Sequence, residues 1–252
     1  MLSVNNLSCG YYEKDVVMDV SFSLEENERL CIVGPNGCGK TTVMRALCGL
    51  LDYRGEIKLF GNELKTMKRK DISKKIAFMP QTMSVYFSYS VFETVALGRY
   101  LVSKKKIFSD ISQSETDTVM HYIEKVGLSA LADKPITELS GGQLQRVFLA
   151  RVFAQEPDII LLDEPTNYLD FRHQLELINY LKDWACERNK AVIGVMHDIN
   201  LALSLADKLI IMNNGKIEAT GSPKEIVSGE RLSEIYDVDV GAYMKSILKI
   251  WE

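Results

Sequence analysis

Residues 30–42 read Leu30-Cys31-Ile32-Val33-Gly34-Pro35-Asn36-Gly37-Cys38-Gly39-Lys40-Thr41-Thr42. Four apolar residues run into a stretch that matches GxxxxGK[ST] at Gly34, Gly39, Lys40 and Thr41. The order has a physical meaning. A short buried strand over 29–33 delivers the chain to a loop whose glycines let backbone N–H groups close around phosphate oxygens. A helix over about 40–50 then points its positive end at the same anion. In this arrangement Lys40 reaches the β- and γ-phosphates of a nucleotide and the Thr41 hydroxyl ligates Mg²⁺.

Outward from the loop, the pattern is α/β. After Pro157 the chain alternates strand 158–162, helix 171–188, strand 191–196, helix 199–206 and strand 208–213. Strands that are apolar throughout and separated by helices indicate a parallel sheet covered on both faces. The first sixty residues read instead as strands joined by turns, with Leu2–Leu7, Val16–Leu24 and Gly55–Phe60 as segments, and Ile76–Met79 is a further short strand ending at Pro80. From about 83 to 155 the apolar spacing becomes helical, as in Val119, Tyr122, Ile123 and Val126. Lys104-Lys105-Lys106 in this region reads as a solvated loop.

Composition limits the function classes. The 252 residues are 46% apolar and 25% charged, which allows a buried core. Thirty Lys and Arg against 34 Asp and Glu leave a net charge of −4, which supplies no general pull toward nucleic acid or anionic lipid. No apolar run approaches the roughly 18 residues of a membrane span. The opening MLSVNNLSCGYYEKD lacks the basic start and apolar stretch of a secretory signal. Five scattered cysteines without a CxxC pair read as reduced thiols, so a soluble intracellular protein is expected. Cys38, inside the phosphate loop, reads as a small residue tolerated there.

A phosphate loop alone does not separate kinases, GTPases and ATPases. Ile159-Ile160-Leu161-Leu162-Asp163-Glu164 ends an apolar strand in two carboxylates. Strand neighbours point in opposite directions, so the two acids have different tasks. Asp163 suits the Mg²⁺ shell, and Glu164 suits orienting or deprotonating an attacking water. Leu139-Ser140-Gly141-Gly142-Gln143, followed by Leu144-Gln145-Arg146, precedes a helix and offers a second anion site at a helix start.

LSGGQ, together with the phosphate loop and the Asp163-Glu164 pair, resembles the signature of ATP-binding-cassette (ABC) ATPases over nearly the whole chain. The resemblance implies a single cassette with a RecA-like parallel-sheet core, an antiparallel β subdomain and a helical insertion subdomain. Its boundaries fall at 1–82 and 156–236 for the core, 83–155 for the helical part and 237–252 for a short tail. It implies that Tyr11 stacks on adenine, with the adjacent Tyr12 as the alternative. Gly34, Pro35, Asn36, Gly37, Cys38, Gly39, Lys40, Thr41 and Thr42 would wrap the phosphates. Thr41, Gln81 and Asp163 would serve Mg²⁺, with Glu164 as base. His197, in Val195-Met196-His197-Asp198, matches the switch histidine at the γ-phosphate, and Asp170, in Thr166-Asn167-Tyr168-Leu169-Asp170, matches the D-loop aspartate.

The family pairs two cassettes head to tail. Ser140, Gly141, Gly142 and Gln143 of one chain then complete the ATP site of the other. The resemblance therefore implies a nucleotide-sandwich homodimer, integral-membrane permease partners, an indirect link to a substrate-binding protein, and peripheral attachment to the cytoplasmic face of the membrane. Nucleic acid is not expected as a partner. Val95-Ala96-Leu97-Gly98-Arg99-Tyr100, Thr166-Asn167-Tyr168-Leu169-Asp170 with Gln174 nearby, His197-Asp198-Ile199-Asn200, and Pro223-Lys224-Glu225-Ile226 with a following Tyr236 are similar to cassettes of iron–siderophore, haem and cobalamin importers. Leu101-Val102 stand where that group commonly has Pro-His. Zinc/manganese and molybdate importers use similar cassettes, and a soluble ABC ATPase acting on nucleic acid or ribosomes is the remaining alternative. The apolar stretch Val85, Tyr86, Phe87, Tyr89, Val91 and Phe92 reads as a permease-facing surface, with some of its aromatics exposed.

Overall fold

The computed structural model describes residues 1–12, 14–82, 87–101 and 112–250; Val85, Tyr86, Val102 and the lysines 104–106 lie outside them. The strands are β1 Leu2–Tyr11, β2 Lys14–Leu24, β3 Arg29–Val33, β4 Tyr53–Leu59, β5 Asn62–Glu63, β6 Ile76–Met79, β7 Ile159–Asp163, β8 Ala191–Val195, β9 Lys208–Asn213 and β10 Lys216–Gly221. The α-helices are α1 Lys40–Leu47, α2 Arg69–Lys75, α3 Val91–Ala96, α4 Gln113–Lys125, α5 Gly141–Ala154, α6 Phe171–Arg188, α7 Ile199–Leu205, α8 Pro223–Ser228, α9 Arg231–Tyr236 and α10 Val240–Leu248. The chain divides into two compact units, Met1–Met67 with Leu181–Glu252, and Lys68–Tyr180.

The first unit holds both kinds of sheet expected from the sequence. β2-β1-β4-β5 is antiparallel, with Leu2 opposite Leu24 on one side and Leu59 on the other. β3 lies between two parallel neighbours, Ile32 pairing with Val195 of β8 and Ile210 of β9, and β10 returns antiparallel on β9. A strand paired on both edges and covered on both faces must be apolar throughout. Leu30, Cys31, Ile32 and Val33 are accordingly buried, and so are all five residues of β8. Each large side chain buried this way contributes about 1.5–3 kcal/mol. α1 buries Val43, Met44, Ala46 and Leu47.

The second unit pairs β6 with β7 in parallel, Phe78 opposite Leu161, and carries α3, α4 and α5. Three of its helices begin in the same way. Ser90, Ser112 and Ser140 each accept the backbone N–H three residues on, while Glu93, Glu115 and Gln143 reach back to the serine's own N–H. This reciprocal cap satisfies donors that a helix start otherwise leaves open, at about 1 kcal/mol each. Tyr122, Phe153 and Tyr180 stack through ring contacts at 6.3 and 4.5 Å between centroids. Of the aromatic stretch singled out in the sequence, Phe87 is exposed, Tyr89 and Phe92 are half-buried and Val91 is buried. Among the described residues no helix is long and apolar enough to cross a membrane.

Candidate active site

The loop after β3 is shaped by its glycines. Gly34, Gly37 and Gly39 have φ of 151°, 77° and 105°. At Gly34 no side chain fits, because a Cβ would stand 2.1 Å from the Met212 carbonyl oxygen of β9. The same loop is fastened from outside by the Gly215 N–H, which donates to the Cys38 carbonyl at 3.1 Å. Gly39 then opens α1, and the Val43 N–H closes its first turn on the Gly39 carbonyl at 3.0 Å. Pro35 is half-buried, Asn36 and Gly37 are exposed, and Cys38, Lys40 and Thr42 are buried, with Thr41 half-buried. The Lys40 ammonium donates to the carbonyls of Gly34 at 2.7 Å and Pro35 at 2.9 Å. The Lys40 ammonium is thus held against the loop's own backbone.

Burial pushes the Cys38 thiol up from its usual value, with the Lys40 ammonium working against that. A thiol held in its protonated form is a poor nucleophile, which fits the plain reading of Cys38 as a small filler. Tyr236 of α9 joins this environment: burial raises its phenol, and the Gly34 backbone N–H donates to it. Tyr11 ends β1 with its hydroxyl accepting from Arg45 of α1 at 3.0 Å, whereas Tyr12 is fully exposed at φ 49°. His197 is exposed two residues beyond β8, next to Asp198, whose carboxylate caps α7 through the N–H groups of Asn200 and Leu201.

In the second unit β7 carries Asp163, fully buried, into a turn that begins at Glu164. Glu164 has φ 54° and Tyr168 φ 62°, positions that L-residues adopt at a cost of about 1–2 kcal/mol. Side-chain amides hold this turn. Gln81 Nε2 and Asn167 Nδ2 both donate to Glu164 Oε2, at 2.6 and 2.8 Å. Gln145 of α5, buried, donates to the Pro165 carbonyl at 2.9 Å, and Gln174 of α6 to the Thr166 carbonyl at 3.2 Å. The structure therefore brings together Gln81 and Glu164 from the sequence-derived set. It joins to them Gln145, Asn167 and Gln174, which the sequence carries within or beside its motifs without showing that they bond to this turn.

At the start of α5, Ser140 Oγ accepts from the Gln143 N–H at 3.3 Å, and Gln143 Oε1 accepts from the Ser140 N–H at 3.0 Å. The Gln143 side chain is thus engaged in closing the helix start, while Gly141 and Gly142 lie at its open N-terminus. Gly142 admits no Cβ without meeting the Tyr168 carbonyl at 2.8 Å. Asp170 accepts from both the backbone N–H and the ring Nδ1 of His173, at 2.9 and 2.7 Å, and these bonds hold its carboxyl below its usual range.

A strand–loop–helix of phosphate-loop form and a buried carboxylate turn, each on its own α/β framework, are the marks of a phosphate-loop nucleotide-binding protein. The ABC transporter family model matches residues 17–167. The chain belongs to the ABC family of ATPases. It is 38% identical over 96% of its length to the uncharacterized ABC transporter ATP-binding protein YvrA of Bacillus subtilis, of which it spans 54%. It is 36% identical over 91% of its length to the ferric enterobactin transport ATP-binding protein FepC of Escherichia coli, covering 84% of that protein. Among solved structures it resembles an inward-facing ABC transporter assigned to the metal-chelate type, with 30% identity, TM-score 0.78 and coverage of 94% of this chain and 88% of that one. A dimeric ATP-binding cassette in a post-hydrolysis state bound to ADP and Pi matches with 27% identity, TM-score 0.80 and coverage of 88% and 99%.

Proposed function

We propose that this chain is the ATP-hydrolysing subunit of a prokaryotic importer of an iron complex, a siderophore or haem chelate, or of cobalamin. The observation that carries the hydrolytic part is the buried Glu164 carboxylate, held by two amide donors at the end of β7. The cargo class draws on the enterobactin and metal-chelate relatives. Tyr11 stacks on adenine, and the loop Gly34–Thr42 and Lys40 bind the phosphates. Glu164 takes the proton of the attacking water, His197 steadies the γ-phosphate, and Ser140, Gly141, Gly142 and Gln143 complete the site of a second copy in a head-to-tail dimer with Asp170.

In this reading the Thr41 hydroxyl, the Gln81 amide oxygen and the Asp163 carboxylate would serve Mg²⁺. One carboxylate with hard oxygen donors, completed by nucleotide phosphates, is the ligation this ion favours. When bound, the ion neutralises charge on the β- and γ-phosphates. In this reading residues 1–82 and 156–236 form the nucleotide-binding core, 83–155 the helical subdomain and 237–252 a tail, within which α10 lies. The cassette sits on the cytoplasmic face of the membrane against permease subunits, which receive cargo from a binding protein.

The test is to tag the chain in its native host, solubilise membranes and identify what co-purifies. A polytopic permease in near-equal amount, encoded with an iron-chelate-binding protein, is the expected result. Recovery only from the soluble fraction with ribosomes or DNA overturns the importer reading.

A further inference from the structure

The bond between Asn167 and Glu164 points beyond the residues assigned so far. Glu164 is 6% exposed, and a buried carboxylate needs donors to hold both its charge and its direction. Its backbone gives no help toward a fixed geometry, because φ 54° is a strained position for a residue with a side chain. Two bonds from Asn167 stabilise it there. The Asn167 backbone N–H donates to the Glu164 carbonyl at 3.3 Å, and its side-chain amide donates to Glu164 Oε2 at 2.8 Å. One residue therefore fixes both the backbone turn and the carboxylate that leaves it.

We propose that Asn167 is a positioning residue for hydrolysis, acting through Glu164. This rests on the reading of Glu164 as the base. Gln81 reaches the same Oε2 at 2.6 Å, yet it follows β6 directly and stands 83 positions away in sequence. Asn167 belongs to the same turn as Glu164, so its grip is local. It pins the carboxylate to the backbone that carries it. The role does not involve binding nucleotide, so its loss acts on turnover and leaves ATP affinity in place. A charge-assisted bond of this kind, if it is made in the transition state, corresponds to about a 10- to 100-fold effect on rate.

The experiment compares Asn167→Ala and Asn167→Ser, which keeps a donor, with the parent protein, reading kcat, KM for ATP and equilibrium ATP binding, with Glu164→Gln run beside them. Asn167→Ala is expected to lower kcat about 10- to 100-fold with KM and binding within about two-fold, and Asn167→Ser to recover part of the loss. Wild-type kcat in Asn167→Ala overturns the proposal, as does a parallel loss of ATP binding. Undiminished turnover in Glu164→Gln alone is a different failure, that of the base assignment itself.

Discussion

The loop after β3 and the turn after β7 both leave buried strands with parallel partners, and both need left-handed backbone, but they obtain it by different means. Gly34, Gly37 and Gly39 supply it in the first loop because they lack a Cβ. In the turn the same region is occupied by Glu164 and Tyr168. There the conformation is held by amides from Gln81, Gln145, Asn167 and Gln174. The difference follows the chemistry each must do. An anion is wrapped by bare backbone N–H groups, which only glycines bring close enough. On the proposed reading of Glu164 as the base, a side chain is needed at the strained position, so its support has to come from neighbours.

The comparison can be broken at several points. The largest effect is expected from Gly34→Ala, because its Cβ would meet the Met212 carbonyl at 2.1 Å. ATP affinity, measured by calorimetry, should fall by at least about 100-fold, and near-native binding would show that the loop does not depend on that approach. Lys40→Ala removes the one ammonium inside the loop and should weaken ATP about 10- to 100-fold while the fold stays intact by circular dichroism. On the other side, Gln145→Leu deprives the Pro165 carbonyl of its donor, and denaturant unfolding should register a loss of about 1–3 kcal/mol. The smallest effect belongs to Gly37→Ala. Nothing lies within 4 Å of its Cβ position, so only the backbone cost of about 1 kcal/mol remains, and ATP binding should stay close to that of the parent protein.

The same contrast explains what the sequence discloses. The glycine-built loop is written contiguously, and β3, β8 and β9 are apolar runs whose ends fall within a residue of those expected. The amide-built turn is spread over Gln81, Gln145, Asn167 and Gln174; the sequence places Gln81 at Mg²⁺ and the others inside or beside motifs, and only the fold shows them as one set of donors around a turn. Glu164 and Asp163 were legible as a pair, but the reason Glu164 points where it does was not. Short elements with weak periodicity escaped notice as well. α2 reads Arg69-Lys70-Asp71-Ile72-Ser73-Lys74-Lys75 with Ile72 its one buried residue, and β5 is only two residues long. The sequence places Gln143 toward ATP, whereas in the structure its side-chain oxygen accepts from the Ser140 N–H at 3.0 Å.

The central claim, that Glu164 is the base of an ATP site completed by a second copy of the chain, is tested most directly by Glu164→Gln. Size-exclusion chromatography with light scattering, run with ATP and Mg²⁺ beside a turnover assay, should show a stable dimer with retained ATP and no measurable hydrolysis. A variant that stays monomeric with ATP, or hydrolyses it at the parent rate, contradicts the account.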